Sequence, residues 1–354
     1  MEAYLIPIKT AFLIFPIIAA FFTLPYMIQQ YHKYGSISFL RTVILYSFIL
    51  YLLCMYFLVI LPLPSIEEVS QMTTPTMQLK PFQFVRDFLR ETKFQLGDSS
   101  TYLQAVKQNC FLQVVFNIVL FMPFGVYLNY YFQYSFRKVL GFGFCLSLFF
   151  ELTQLSGLYG IYPRAYRLFD VDDIFLNISG AVIGYPFGAL AKKLLPKREE
   201  IDRMAYERGR VVSFGRRWIA LLIDGGIFLG IAFVENAIFA VIVAVIQLYL
   251  LEGVTFGKWL LKIRIVNGKE KKLSLLQCLL REGIPILGLR FFPIIFMIVI
   301  GFDLISGNKN KLFYERISQT YCISIRNIEE FPKQEGTKDK VINKSKYIEN
   351  FDQV

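Results

Sequence analysis

A chain of 354 residues with 55% hydrophobic and only 18% charged side chains is too apolar for an ordinary soluble protein, in which the charged share is nearer about a quarter. One histidine gives no ligand set for H-E-x-x-H zinc chemistry, and beside Lys33, near a helix end, His32 reads as a loop residue rather than the base of a Ser-His-Asp triad. The net charge of +11 does not point to nucleic acid, because the basic residues cluster in stretches next to apolar runs instead of forming a groove.

Apolar runs recur near residues 11–28, 38–61, 109–129, 138–158, 174–195, 217–234, 235–251 and 284–302. Crossing the hydrocarbon takes about 20 residues, so the pattern predicts an all-α fold, a polytopic membrane bundle of about eight helices. Cys54, Cys110, Cys145, Cys278 and Cys322 are scattered and odd in number, which indicates neither a disulfide framework nor a zinc site. They read as core packers. Between the fifth and sixth runs the chain carries nine Lys and Arg over 192–217, which predicts a cytoplasmic linker at 196–213. Counting back places the N-terminus, the loop 62–108 and the segment 159–173 outside.

The first run follows Lys9 and resembles a secretion signal only superficially, since one charge makes a poor n-region and no small-x-small site follows. A first spanning helix is expected, bent by Pro7, Pro16 and Pro25. In the loop, LKPFQFVRDFLRETK places Leu79, Phe82, Val85, Phe88 and Leu89 on one helical face and Arg86, Arg90 and Lys93 on another. Two readings stand side by side: an interfacial helix whose arginines sit at lipid phosphates, or a solvated basic face. In the third run Asn117 lies inside apolar sequence, and Pro123 predicts a kink or an end near Phe121.

Glu151 lies thirteen residues beyond Lys138, roughly 20 Å up the fourth helix and so about 10 Å below the outer surface of a core about 30 Å thick, and Asn177, counted inward from Asp173 on the fifth, lies roughly 6 Å below it. The two depths match. Glu151 and Gln154 share one helical face, as do Asp173 and Asn177. Gly180, Gly184 and Gly188 continue the second stripe as a small-xxx-small packing face. Ionisable groups at such depth are costly and mark function by default. The expectation is an outward-opening pocket lined by Asn117, Glu151, Gln154, Asp173 and Asn177, with Arg167 and Asp170 at its rim. Polar groups that only lock helices together are the alternative. A hard ion on Asp170, Asp172 and Asp173 is weighed below a plain helix N-terminus capped by Asp170 or Asp172.

In this stretch the chain resembles the VanZ-like family of bacterial membrane proteins. The residues that carry the resemblance are N-x-x-x-F-x-P-F-G from Asn117 to Gly125, E-x-x-Q at Glu151 and Gln154, and R-x-F-D-x-D-D-x-x-x-N-x-x-G from Arg167 to Gly180. It implies a domain over 1–195 in the cell membrane, associated with low-level glycopeptide resistance, teicoplanin especially. Membrane lipids and a lipid-linked cell-wall precursor or lipoglycopeptide are the partners expected. No catalytic residue, metal or cofactor is expected.

Beyond the linker, Arg217, Ala220 and Asp224 share one helix face, with Arg217 expected to snorkel at the interface and Asp224 to face other helices. Gly257-Lys258 is not a phosphate loop, because Trp259 follows the lysine; a basic hairpin turning at Asn267-Gly268, or a helix, is expected. This half resembles the RDD family through R-x-x-A-x-x-I-D from Arg217 to Asp224, G-x-T-x-G-K from Gly253 to Lys258 and Arg281, with Glu315 where the family carries aspartate. A domain over 214–325 and a disordered tail over 326–354 follow. The run 284–302 admits a single crossing or a re-entrant pair broken by Gly283, Pro285, Gly288 and Pro293. A second function class, ion or solute transport on Glu151 and Asp224, stays open beside the binding pocket.

Overall fold

The computed structural model describes residues 2–92, 94–95, 97–231, 237–267, 272–305 and 312–325. It divides into two units, Met1–Arg208 and Gly209–Val354. The tail beyond 325, Gly268 of the expected turn and Lys93 lie outside the described residues.

The first unit is a bundle of long helices closed at one end by a folded cap. Helices α1 (Glu2–Tyr34) and α2 (Phe39–Ile60) form a hairpin whose turn carries Ser38, the N-cap of α2. Pro7, Pro16 and Pro25 all lie within the single helix α1. The cap begins with α3 (Ile66–Gln71), held by a Ser65–Glu68 capping box, and continues through strand β1 (Met77–Gln78), α4 (Gln83–Glu91) and α5 (Tyr102–Ala105). Then come α6 (Asn109–Tyr130), α7 (Phe136–Leu155), the short turn α8 (Gly157–Gly160), strand β2 (Phe169–Asp170), α9 (Val171–Leu194) and α10 (Arg198–Arg208).

Pro123 does not end α6, which runs on to Tyr130, so of a kink or an end near Phe121 the end is excluded. Packing holds the helix through the proline: Phe121 and Phe124 are buried in the main apolar cluster with Met55 and Phe150. The core of the unit is the parallel contact of α6 with α9. A Cβ added at Gly180, Gly184 or Gly125 would fall inside 3.0 Å of the carbonyl oxygens of Ile118, Met122 and Ala181 respectively. Only glycine lets these backbones touch. Farther along, Asn129 donates to Tyr185 O (2.6 Å) and accepts from Lys192 Nζ (2.6 Å), so the same pair is pinned by polar bonds beyond the glycines.

At the end of the bundle away from the cap, Arg41 is 3% exposed. It bonds Gln30 Oε1 of α1 (2.5 Å) and Asp202 of α10, and lies over the Tyr34 ring (3.7 Å). It ties three helices together, and sequence periodicity gave it no role.

The second unit contains α11 (Phe214–Ile231), α12 (Ala237–Leu250), α13 (Phe256–Leu260), β3 (Ile263–Asn267), α14 (Leu275–Phe291), α15 (Pro293–Ile305), α16 (Phe313–Ile317) and β4 (Thr320–Ser324). Strands β3 and β4 pair antiparallel, from Ile263 opposite Ser324 to Asn267 opposite Thr320. Hydrogen-bonded strands sit on one side of any bilayer, so the chain between them crosses an even number of times or not at all. A single crossing at 284–302 is therefore ruled out. The run is broken at Phe292, with Pro293 opening α15 where its missing N–H costs nothing, while Pro285 stays inside α14. The two helices fold back on each other with Gly288 facing the Phe296 ring.

Among the described residues, five helices are long and apolar enough to cross a membrane: Leu5–Tyr34, Phe39–Ile60, Asn109–Tyr130, Phe136–Leu155 and Val171–Leu194. The exposed apolar side chains along them, such as Phe21, Val119, Phe175 and Ile183, are the surface that lipid covers. The fold is an all-α polytopic membrane bundle with two minimal strand pairs.

Candidate functional site

The loop 62–108 and the segment before α9 interlock. Strand β1 pairs in parallel with β2, Met77 opposite Phe169 and Gln78 opposite Asp170. The Arg164 guanidinium bonds the carbonyls of Met72 and Thr74, and Tyr162 donates to Pro64 O (2.8 Å). Val69, Tyr162 and Tyr166 are buried beneath. This platform sets the position of every polar group at the start of α9.

Arg167 and Gln154 converge on the end of α2. Arg167 donates to Val59 O (2.7 Å) and Leu61 O (3.0 Å), and Gln154 Nε2 donates to the same Val59 O (3.0 Å). Helix ends leave carbonyls without partners, and these two side chains satisfy them. Arg167 thus sits exposed beside the carboxylates while its fork is spent on backbone oxygen.

Asp170 is the N-cap of α9, accepting from Asp172 N (2.9 Å) and from Gln78 Nε2 (3.3 Å). Burial pushes its carboxyl above the usual range, opposed by the bond from the Asp172 N–H. Its own N–H donates to Glu151 Oε2 (2.9 Å) of α7, where Glu151 is 3% exposed. Asp173 accepts from Asn117 Nδ2 (2.5 Å) of α6. One turn deeper, Asn177 donates to Ser147 Oγ (2.9 Å), and the Oδ1 of Asn177 is buried without a hydrogen-bond partner.

Asn117, Glu151, Asp170, Asp173 and Asn177 are therefore brought to the facing sides of α6, α7 and α9 at the cap end, while Gln154 and Arg167 serve the neighbouring end of α2. Among the described residues none of the carboxylates of Glu151, Asp170, Asp172 and Asp173 is in an ion pair, although two guanidinium groups lie in the same platform. Nor do the three aspartates converge as ligands; each has a different partner, and no group of three acidic, His or Cys side chains is placed to hold a metal among the described residues.

Asp172 is the residue that sequence reasoning undervalued. It is 2% exposed, and its two oxygens accept from Phe82 N (2.6 Å) and Phe84 N (3.0 Å). Phe82 has no side-chain acceptor to cap α4, so a carboxylate ninety positions away does it. Asp172→Asn keeps one acceptor and removes the charge at the helix N-terminus. The expected cost is about 1–3 kcal/mol, read as faster hydrogen exchange over 83–91 with the rest of the bundle unchanged.

In the second unit the motif residues form a buried ionic network. Glu315, fully buried, accepts from Arg217 Nη1 (2.5 Å) and Leu312 N (2.9 Å) on one oxygen and pairs with Arg281 Nη2 (2.8 Å) on the other. Arg217 does not snorkel; it is 7% exposed and turned inward to Glu315. Asp224 accepts from Thr255 Oγ1 (2.5 Å), Gly257 N (2.6 Å) and Lys258 Nζ (3.3 Å). The G-x-T-x-G-K segment is thus a carboxylate cradle, with Lys258 also reaching Glu282 (3.5 Å). Arg216, fully buried, holds the carbonyls of Gly209 (3.0 Å), Leu261 (2.9 Å) and Lys262 (3.0 Å). Nothing in R-R-W distinguishes it from Arg217 except helix phase, about 100° apart, and phase alone did not say which neighbour each would meet.

The VanZ/LLP1 family model matches residues 48–192, and the RDD family model matches residues 229–318. No curated protein and no solved structure matches the chain. The first match spans the four long helices around the polar cluster; the second begins beyond Arg217 and Asp224 and takes in Lys258, Arg281 and Glu315. The chain is a multi-pass membrane protein that joins a VanZ/LLP1 domain to an RDD-family domain.

Proposed function

We propose that the polar cluster at the cap end of the first unit faces outward from a bacterial cell membrane and receives a cationic group on an envelope molecule, lipid-linked or lipoglycopeptide. Occupancy lowers the access of teicoplanin-type antibiotics to their target. One observation carries this reading: Glu151 and Asp173 sit on facing helices with no cationic side chain paired to either, while Arg164 and Arg167 beside them are committed to carbonyls. A carboxyl held away from bulk water without a counter-charge takes up either a proton or a cation, and a cationic group entering the cluster would displace the proton to solvent. The acceptor left over on Asn177 adds a neutral oxygen to the same set. Transport on Asp224 is disfavoured, because both of that residue's oxygens are already engaged.

Glu151→Gln keeps an oxygen for the Asp170 N–H, and Asp173→Asn keeps one for Asn117. Both remove charge at constant shape. Each is expected to weaken ligand capture by about 1.5–3 kcal/mol, roughly ten- to a hundredfold, and to return teicoplanin susceptibility to that of cells lacking the protein. Membrane abundance should not change. Resistance that persists in both variants at equal abundance sinks the proposal.

A further inference from the structure

Helix α4 carries a surface that the polar cluster does not use, and the inference drawn from it stands independently of the proposed function. Val85 and Leu89 of α4 are 41% and 59% exposed, and Leu79 and Phe82, which precede its first turn, are 62% and 61% exposed, so that helix and lead-in together show an apolar stripe outside the bundle. The inward face is separate: Phe88 packs on Phe94 (5.5 Å) and on Phe111 of α6 (6.0 Å), so the exposed stripe is not a core face left open by accident. Arg86 and Arg90, both exposed, follow directly around the helix from that stripe.

The stripe is continuous with the exposed apolar side of a helix long and apolar enough to span a membrane. The Phe82 ring lies flat on Phe175 of α9, with centroids 6.1 Å apart and planes 8° apart. Phe175 is 44% exposed and heads the α9 side that continues through Ser179, Ile183 and Phe187, the lipid-facing side of a spanning helix. The Asp172 carboxylate fixes the α4 N-terminus one turn from Phe175. An apolar stripe bordered by arginines, joined edge to edge with a lipid-covered surface, has the chemistry of a helix lying in the headgroup boundary.

We infer that α4 lies in the leaflet on the cap side, with Val85 and Leu89 among the upper acyl carbons and Arg86 and Arg90 on lipid phosphates, and that it gathers anionic phospholipid around the cap. The guanidinium fork suits phosphate oxygens, and each arginine near a charged surface favours anionic lipid by a factor of about five, equivalent to about 1 kcal/mol.

The test uses the full chain reconstituted in phosphatidylcholine or phosphatidylglycerol vesicles. With Trp218→Phe and Trp259→Phe as background, Leu89→Trp places one reporter on the stripe and Asp87→Trp one on the far side. Brominated acyl chains are expected to quench the reporter at position 89 strongly and spare the one at 87, with aqueous iodide doing the reverse. Equal quenching of the two by iodide would mean a solvated face and overturns the inference; protection of position 89 from both quenchers would mean a protein partner and also overturns it. Should the tryptophan background fail to fold, Leu89→Trp in the otherwise native chain still decides, read as the difference from the signal of Trp218 and Trp259 alone. Brominated phosphatidylglycerol should displace phosphatidylcholine from the Leu89→Trp protein with a preference that falls about fivefold for each of Arg86→Gln and Arg90→Gln. A preference unmoved by both removes the phosphate contact.

Discussion

Gly184→Ala is expected to cost the first unit about 3–5 kcal/mol, a large part of the roughly 5–15 kcal/mol that holds a domain together. The added Cβ would land inside 3.0 Å of Met122 O, a backbone atom that cannot rotate away, so α6 and α9 must part. Parting forfeits close packing along a parallel contact that also includes Gly180 and Gly125, at about 1–3 kcal/mol for the overpacked site alone. It also stretches the bonds from Asn117 to Asp173 and from Asn129 to Tyr185 O. Gly141→Ala is the control. That glycine lies in the spanning helix α7 with nothing within 4 Å of an added Cβ. There alanine should be neutral or stabilising by up to about 1 kcal/mol through helix propensity. Thermal unfolding of the solubilised protein measures both; similar midpoints for the two variants would remove the close-approach argument.

Glu315→Gln should be the most damaging change in the second unit, at about 3–5 kcal/mol. Buried charge pairs add little by themselves, but deleting one member strands the rest, and here a single carboxylate serves Arg217 and Arg281 together. Glu315→Asp keeps the charge and shortens the reach, so one of the two guanidinium contacts must lengthen while the other survives. The expected order of stability is wild type, then aspartate, then glutamine, followed by limited proteolysis of the 209–325 region. An amide variant within about 0.5 kcal/mol of wild type would mean the network does not hold the unit. The order also bears on the motif itself, because glutamate where aspartate is usual spans two arginines and the Leu312 N–H at once.

The five spanning helices were legible because length and hydropathy suffice for them, and the small-residue spacing of Gly180 and Gly184 pointed to the packing face. Which polar residues mattered could also be read, since amides and carboxylates stand out against apolar sequence. Their partners could not. Asp172 meets Phe82 and Phe84 across about ninety positions, and no periodicity carries that information. Arg167 looked like the rim of a pocket because it sits beside aspartates, yet it binds the exposed carbonyls where α2 stops. Pro123 was read by its local effect, a lost N–H, while burial among aromatic neighbours keeps α6 continuous. The last apolar run misled for a related reason: hydropathy records how greasy a stretch is, and only the β3–β4 pairing records which side it returns to.

The socket of Arg216 has a temporal meaning. Two of its carbonyls come from Leu261 and Lys262, and a further bond, to Ser324 Oγ (3.3 Å), joins positions 108 apart in the chain. At roughly 5–20 residues per second, a ribosome needs roughly 5–20 s after making that arginine before the hydroxyl exists. Gly209 is made before the arginine and Leu261 and Lys262 within the first half of that interval, so the socket fills in stages and its Ser324 bond comes last. A chain that stops just before β4 therefore keeps three of these four bonds and lacks the strand that pairs with β3.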